Sequence, residues 1–240
     1  MDMILCPEKT VYFCPCYGMK FRNFISGGFI DKPFRYDISR YEHTPQNVIC
    51  PICNSLPRHR ILALWCNKHK RLLRKSNILY FAQEPSIKKW MKRNKVTCTT
   101  ADYYQEADLK LDIQSTKLPD ESYDIIICNH VLEHVQDFRK ALKEVHRILR
   151  KGGYFICSFP IDPNIELLDE DSTIVTEEDR KKRFGQVDHL RVFGRNSEQF
   201  LKEAGFEVKK IKGSECPEEI MPVVGPGDYD WNELIWGRKG

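Results

Sequence analysis

The chain has 240 residues, 41% of them hydrophobic and 30% charged, and a formal net charge of +4. That is enough for one well-buried α/β domain with a small appendage, and it excludes a disordered polymer. No apolar run approaches the roughly 20 residues that a membrane span needs, and so small a charge excess argues against nucleic acid as the partner.

Residues 1–57 are rich in aromatic residues, glycine and proline, without a sustained period. Met1 to Phe13 lacks the basic segment and apolar core of a signal peptide, so a cytoplasmic protein is expected. Ten cysteines are many for a reduced compartment, where metal binding is a better default than disulfides. The knuckle Cys50-Pro51-Ile52-Cys53 can place two thiolates on one Zn²⁺, and Cys14 and Cys16 are the pair that would close the site. Cys6 and His59 stand as substitute ligands, and simple buried thiols as the alternative to a metal. Four protein ligands would make such a zinc structural.

Arg58 to Lys75 reads as a helix whose Ile61, Leu62, Trp65, Leu72 and Leu73 share one face; its basic residues are expected on a solvated face. Ile78 to Phe81 is a strand, Ser86 to Arg93 a short helix, and Lys95 to Thr100 a second strand ending near Asp102. Leu109 to Ile113 is a short third strand, and Leu118 to Ser122 a turn.

The stretch Tyr123 to Asp137, YDIIICNHVLEHVQD, is the one around which the rest of the chain is organised. Ile125 to Cys128 is an apolar run without alternation, as in a strand buried on both faces of a parallel sheet. Phe138, Ala141, Leu142, Val145, Ile148 and Leu149 recur at helical spacing, Lys151-Gly152-Gly153 is expected to stop that helix, and Tyr154 to Phe159 is apolar again. The unit is βαβ, and its polar corner, Asn129-His130, sits where open α/β sheets bind ligands. Pro160 to Asp188 is too polar for core and is expected to form a lid-like insertion at about 161–190. Asn196 is expected to cap a helix that Gly205 ends; Phe206 to Ile211 and Asn232 to Arg238 are the last strands, joined through Pro222 to Gly227.

YDIIICNHVLEHV together with LRKGGYFICSFP resembles the fourth strand, helix and fifth strand of class I S-adenosylmethionine-dependent methyltransferases of type 11. The resemblance runs from Ile78 to the end, roughly two-thirds of the chain, and implies a Rossmann-like, seven-stranded α/β sheet with helices on both faces in a methyltransferase domain at 58–240, behind a zinc-ribbon-like segment at 1–57. CPIC-N-SLPRHR, FAQEP and FGQVDHLRVFG are similar to a subgroup with such a cysteine-bearing segment. Two departures stand out: Phe81-Ala82-Gln83-Glu84-Pro85 replaces the usual glycine-rich loop, and Tyr17 stands where a cysteine would complete a C-x-x-C pair with Cys14.

The resemblance implies S-adenosylmethionine as cofactor and a small-molecule or glycan acceptor, with O-methylation favoured. Asp102, 18 positions after Glu84, would accept from the ribose; Asp112 and Ile113 would meet the adenine. Ala82, Gln83 and Glu84 would line the methionine end mainly through backbone, and Asn129 and His130 would close the crevice. Methyl transfer needs alignment and exclusion of water, and a base only for a tightly held proton; His130 and His189 are the candidates, ahead of His134. The competing readings are a catalytically silent binding module, motivated by the missing glycines, and a nucleic-acid methyltransferase using the basic helix. A nicotinamide-dependent oxidoreductase is disfavoured because G-x-G-x-x-G is absent.

Overall fold

The computed structural model describes residues 11–26, 48–162, 164–220 and 233–240. Cys6 and the Pro222 to Gly227 connection lie outside these residues.

A short antiparallel hairpin, β1 (Tyr12–Cys14) and β2 (Met19–Phe21), comes first. After it come α1 (Pro57–Lys68), α2 (Lys70–Leu73), β3 (Ile78–Phe81), α3 (Pro85–Asn94), β4 (Thr99–Asp102) and β5 (Leu109–Lys110). The centre of the chain forms β6 (Tyr123–Asn129), α4 (Phe138–Ile148) and β7 (Leu149–Ser158). Next are β8 (Ile161–Asp162), β9 (Leu168–Glu170), α5 (Glu177–Phe184), β10 (Arg191–Gly194), α6 (Glu198–Glu203), β11 (Phe206–Ile211) and β12 (Leu234–Lys239).

Seven of these strands form one mixed sheet in the order β11-β12-β7-β6-β3-β4-β5, with β12 antiparallel to both neighbours and the other pairings parallel. The unalternating run in β6 is explained by burial on both sides. Ile125 and Ile127 pack with Ile61, Trp65, Ile87 and Trp90 of α1 and α3, while Ile126 and Cys128 pack with Phe138, Leu142 and Leu201 of α4 and α6. Each buried isoleucine contributes about 1.5–3 kcal/mol in transfer from water. α4 starts where Asp137 Oδ1 accepts from the Lys140 amide at 2.9 Å, and its buried stripe is the one the sequence periodicity predicts, except that Leu149 opens β7 instead. Because β3 connects outward to β4 and β5 while β6 returns on its other side, the strand order reverses between β3 and β6, where such sheets open a ligand crevice.

Several local expectations are corrected. The helix expected over Arg58 to Lys75 breaks at His69, whose Nδ1 sits 2.8 Å from the Trp65 carbonyl and whose ring stacks on Trp65 with centroids 4.0 Å apart. That face is also less solvated than expected, since His59 and Arg60 are buried. Arg60 donates to the carbonyls of Val48, Ser55 and Ile220 at 2.7–2.8 Å and stacks over Phe24, tying three separate segments together. The helix before Lys151-Gly152-Gly153 ends at Ile148, and the glycines form a bulge inside β7: Tyr123 pairs with Leu149, but Ile125 pairs with Tyr154. A Cβ on Gly153 would lie 2.7 Å from the Asp124 carbonyl oxygen and 2.8 Å from that of Arg150, so the bulge requires glycine there. Ser197, not Asn196, precedes α6, and its side chain makes no capping bond. The polar stretch before β10 is ordered by its own charges. Thr176 caps α5 by accepting from the Asp179 amide, acids fill its first turn and bases its last, and β8-β10-β9 form a small separate sheet.

Candidate functional site

The register of the sheet brings one set of polar residues to one edge. Phe81 pairs with Cys128 on one side and Ala101 on the other, and Asp102 pairs with Lys110. The residues leaving β3, β4, β5 and β6 therefore meet at the same carboxyl end, which gathers Ala82, Asp102, Asp112, Asn129 and His130.

At the β3 corner the missing glycine leaves a mark. Ala82 takes φ +50°, a left-handed value that costs an L-residue about 1–2 kcal/mol, and its amide donates to the Ala101 carbonyl at 2.9 Å. Gln83 turns its amide to Cys98 Sγ at 3.1 Å and Met91 Sδ at 3.4 Å. The Glu84 carboxylate accepts from the buried Tyr80 hydroxyl and faces His59 Nε2 at 3.5 Å. His59 accepts the Leu56 amide at Nδ1, so Nε2 carries its proton; burial first, then Arg58, pulls its pKa down to about 2 and keeps the ring neutral. Tyr80 also receives Asn129 Nδ2 at 3.5 Å, and Asn129 Oδ1 accepts from Ser158 Oγ at 3.0 Å. A single hydrogen-bonded chain thus runs under the crevice from Ser158 to Glu84.

Asp102 Oδ1 accepts from the amides of Tyr104 and Gln105 at 2.8 Å each, forming a turn that leaves Oδ2 without a donor among the described residues. Asp112 is more committed: Gln114 donates to its Oδ1 through backbone and side chain and to its Oδ2 at 3.3 Å. Ile113 lies in the core beneath it.

After β6, His130 takes φ +51°, donates its amide to the Ser158 carbonyl and brings Nδ1 within 3.2 Å of Glu133 Oε1. Glu133 is 1% exposed, and neither of its carboxylate oxygens has a hydrogen-bond partner among the described residues. Burial raises its pKa, but His130, with His134 and His189, outweighs that and holds the carboxyl below its usual range. His189 is buried 4.9 Å from the His134 ring, its Nδ1 on the Phe184 carbonyl at 3.1 Å, and burial lowers its pKa. Arg191 fixes this corner. Its guanidinium donates to the carbonyls of Leu132 at 2.8 Å, Val135 at 2.5 Å and Gln136 at 3.0 Å, and to Glu170 at 2.6 Å.

The N-terminal cysteines also converge. Cys14, Cys50 and Cys53 bring their sulfurs within 4.8 Å of one another, all buried. Cys16, also buried, turns its thiol to the His59 carbonyl at 3.3 Å and stands outside that group of three. Contact with Cys16, Cys50 and Cys53 raises the Cys14 thiol, as burial raises Cys16. His59 gives Nδ1 to the Leu56 amide and turns Nε2 toward Glu84 at 3.5 Å, so it does not join the cysteines.

Three residues of this region escape a reading of the sequence. Glu133 is signalled only as an acid within the apolar HVLEHV. Arg191 looks like one more surface base. Arg58, read as part of a solvated face, is partly buried, has a buried Nε without a partner among the described residues, and lies within electrostatic range of Glu84, Glu133 and Tyr80; burial lowers its pKa.

Residues 85–157 match the family described as "Methyltransferase domain". The chain is 40% identical over 57 residues to the uncharacterized methyltransferase YcgJ of Bacillus subtilis, covering 24% of this chain and 22% of that protein. It is 37% identical over 46 residues to the demethylmenaquinone methyltransferase of Alkalihalophilus pseudofirmus, covering 19% of this chain and 20% of that one. The matched parts thus span about a fifth of these relatives. Among solved structures, a SAM-dependent methyltransferase from Archaeoglobus fulgidus superposes with a TM-score of 0.51 at 13% identity, covering 76% of this chain and 94% of that one.

Proposed function

With the resemblance to class I S-adenosylmethionine-dependent methyltransferases present in both sequence and fold, we propose that this chain binds S-adenosylmethionine in the crevice between β3 and β6 and transfers its methyl group to a small-molecule or glycan oxygen. The observation that carries this reading is Asp102. Its Oδ1 is locked into a turn while Oδ2, at the end of β4, has no donor among the described residues, as a ribose diol requires.

The other residues divide the cofactor among them. The left-handed Ala82 turn lets backbone approach the methionine end without a glycine, and Gln83 and Glu84 contribute mainly main chain, because their side chains are engaged elsewhere. Arg58, through its Nε, is the group to meet the methionine carboxylate. Asp112 and Ile113 form the adenine end, and Asn129 the floor. When bound, the cofactor supplies an activated methyl on a sulfonium; the protein aligns the acceptor and excludes water. His130, 28% exposed on the crevice side, takes the acceptor proton, and buried His189 sets the orientation of that corner. The 161–190 segment covers the acceptor side as a lid. Cys14, Cys16, Cys50 and Cys53 hold a structural Zn²⁺ once Cys16 leaves the His59 carbonyl, with no open position for chemistry.

Hydrogen–deuterium exchange with and without S-adenosylmethionine tests the placement. Protection is expected at 82–85, 102–105 and 112–114; protection confined to other elements, or none, would overturn it.

A further inference from the structure

We propose that Glu133, His134 and His189 form a binding site for one divalent transition-metal ion, distinct from the cysteine cluster, on the acceptor side of the crevice. One ligand atom from each lies within 4.8 Å of the other two. Donors this close can share one cation at bonds of about 2.0–2.2 Å after small side-chain adjustments. Two further observations point to a cation. Glu133 is 1% exposed, and neither carboxylate oxygen has an aligned hydrogen-bond partner among the described residues, His130 Nδ1 at 3.2 Å from Oε1 being its nearest contact of that kind. A buried, unsatisfied carboxylate is costly unless a cation compensates it. Arg191 does not do so, since its hydrogen bonds go to backbone carbonyls and Glu170.

The histidines are arranged as ligands are. His189 Nδ1 is held by the Phe184 carbonyl at 3.1 Å, and His134 Nδ1 by the Asp188 carbonyl and carboxylate, each at 3.3 Å. A proton fixed on Nδ1 leaves Nε2 as the nitrogen offered to a metal, the supporting pattern of metal-ligating histidines. His134 Nε2 already lies 3.9 Å from Glu133 Oε1. Two imidazoles and one carboxylate suit Zn²⁺, Fe²⁺, Co²⁺ or Mn²⁺ and leave coordination positions open. If the methyl-transfer reading holds, on which this last step rests, those positions would take an oxygen of the acceptor and ease loss of its proton.

The test is a Co²⁺ titration of the full chain followed by absorption, with metal content measured after dialysis. Co²⁺ bound by cysteine adds an intense thiolate charge-transfer band in the near ultraviolet; Co²⁺ on imidazole and carboxylate gives only weak visible bands, so the two sites separate. The wild type is expected to hold one equivalent of the second kind that His134→Gln lacks, with affinity falling more than about 100-fold, beyond the loss of a supporting group alone. His134 is partly exposed, so this variant is expected to keep its fold, with its thermal transition as the check. Asp188→Ala, at an exposed side chain, is expected to weaken the metal about 10-fold by loosening His134. Equal metal content in wild type and His134→Gln, or cobalt bands of thiolate character only, would overturn the site. Calorimetry with S-adenosylmethionine on the same samples separates the two claims. Cofactor binding without the extra equivalent refutes the metal site alone; the extra equivalent without cofactor binding upholds the metal site and refutes the methyl-transfer reading.

Discussion

Replacing Arg191 by methionine keeps most of the buried stem and removes the guanidinium that holds the 132–136 loop. In the native protein that group serves three carbonyls, of Leu132, Val135 and Gln136, and one carboxylate, Glu170. Leu132 is buried, so its carbonyl cannot turn to water without moving the loop; an orphaned buried acceptor costs about 1–3 kcal/mol. The carbonyls of Val135 and Gln136 are partly accessible and recover some of their loss by hydration. Glu170, 32% exposed, does the same while giving up an ion pair to a side chain that is 2% exposed. The sum is about 3–5 kcal/mol, the range for breaking a buried, hydrogen-bonded charge pair. Urea unfolding monitored by circular dichroism measures it. Arg191→Lys is expected to recover less than half, because a single ammonium cannot reach four acceptors spread along a planar fork. A loss below about 1 kcal/mol for the methionine variant, or full rescue by lysine, would refute the view that Arg191 builds this corner.

Asp102→Asn preserves an oxygen for the Tyr104 and Gln105 amides but puts an uncharged amide donor where Oδ2 was an acceptor, so S-adenosylmethionine affinity is expected to fall about 10–100-fold by calorimetry, with the melting temperature unchanged. Wild-type affinity in that variant would exclude Asp102 as the ribose acceptor. Gly153→Ala places a methyl group against two backbone carbonyls of the β7 bulge and should cost about 1–3 kcal/mol in denaturant unfolding; a neutral result would show that the bulge relaxes freely. Glu144 is held down to about 2 by its bonds with Arg147 and then with Thr116, against an ordinary value of 4.5. Its folded value is depressed, so its contribution is present above about 4.5 and lost as pH falls toward 2. Glu144→Gln should flatten that acid limb in a pH series of melting temperatures, and an unchanged slope would count against it.

Much of the central unit is legible in the sequence because its physics is local. Ile125 to Cys128 lacks alternation, since both faces of β6 are covered, and α4 shows its buried stripe at helical spacing. What the sequence conceals depends on distant partners. His69 breaks a helix because its ring stacks on Trp65, and the Gly152-Gly153 pair makes a bulge because β6 lies beside it. The 161–190 stretch is too polar to read as core, yet it is ordered by capping, by charges arranged along α5 and by strand pairing with β10. Arg58, Glu133 and Arg191 look like ordinary surface charges until the sheet brings distant segments around them. The candidate cofactor corners are readable by position because strand ends recur in order; the commitments of their side chains, such as Gln83 to Cys98 or Asp112 to Gln114, are not.

The most direct test of the central claim is a calorimetric titration of the metal-replete wild type with S-adenosylmethionine and, separately, with its demethylated product. One saturable site per chain, shared competitively by the two ligands and accompanied by thermal stabilisation, is the predicted result. No heat and no stabilisation from either ligand would contradict a cofactor site in the β3–β6 crevice and leave the fold serving as a binding module.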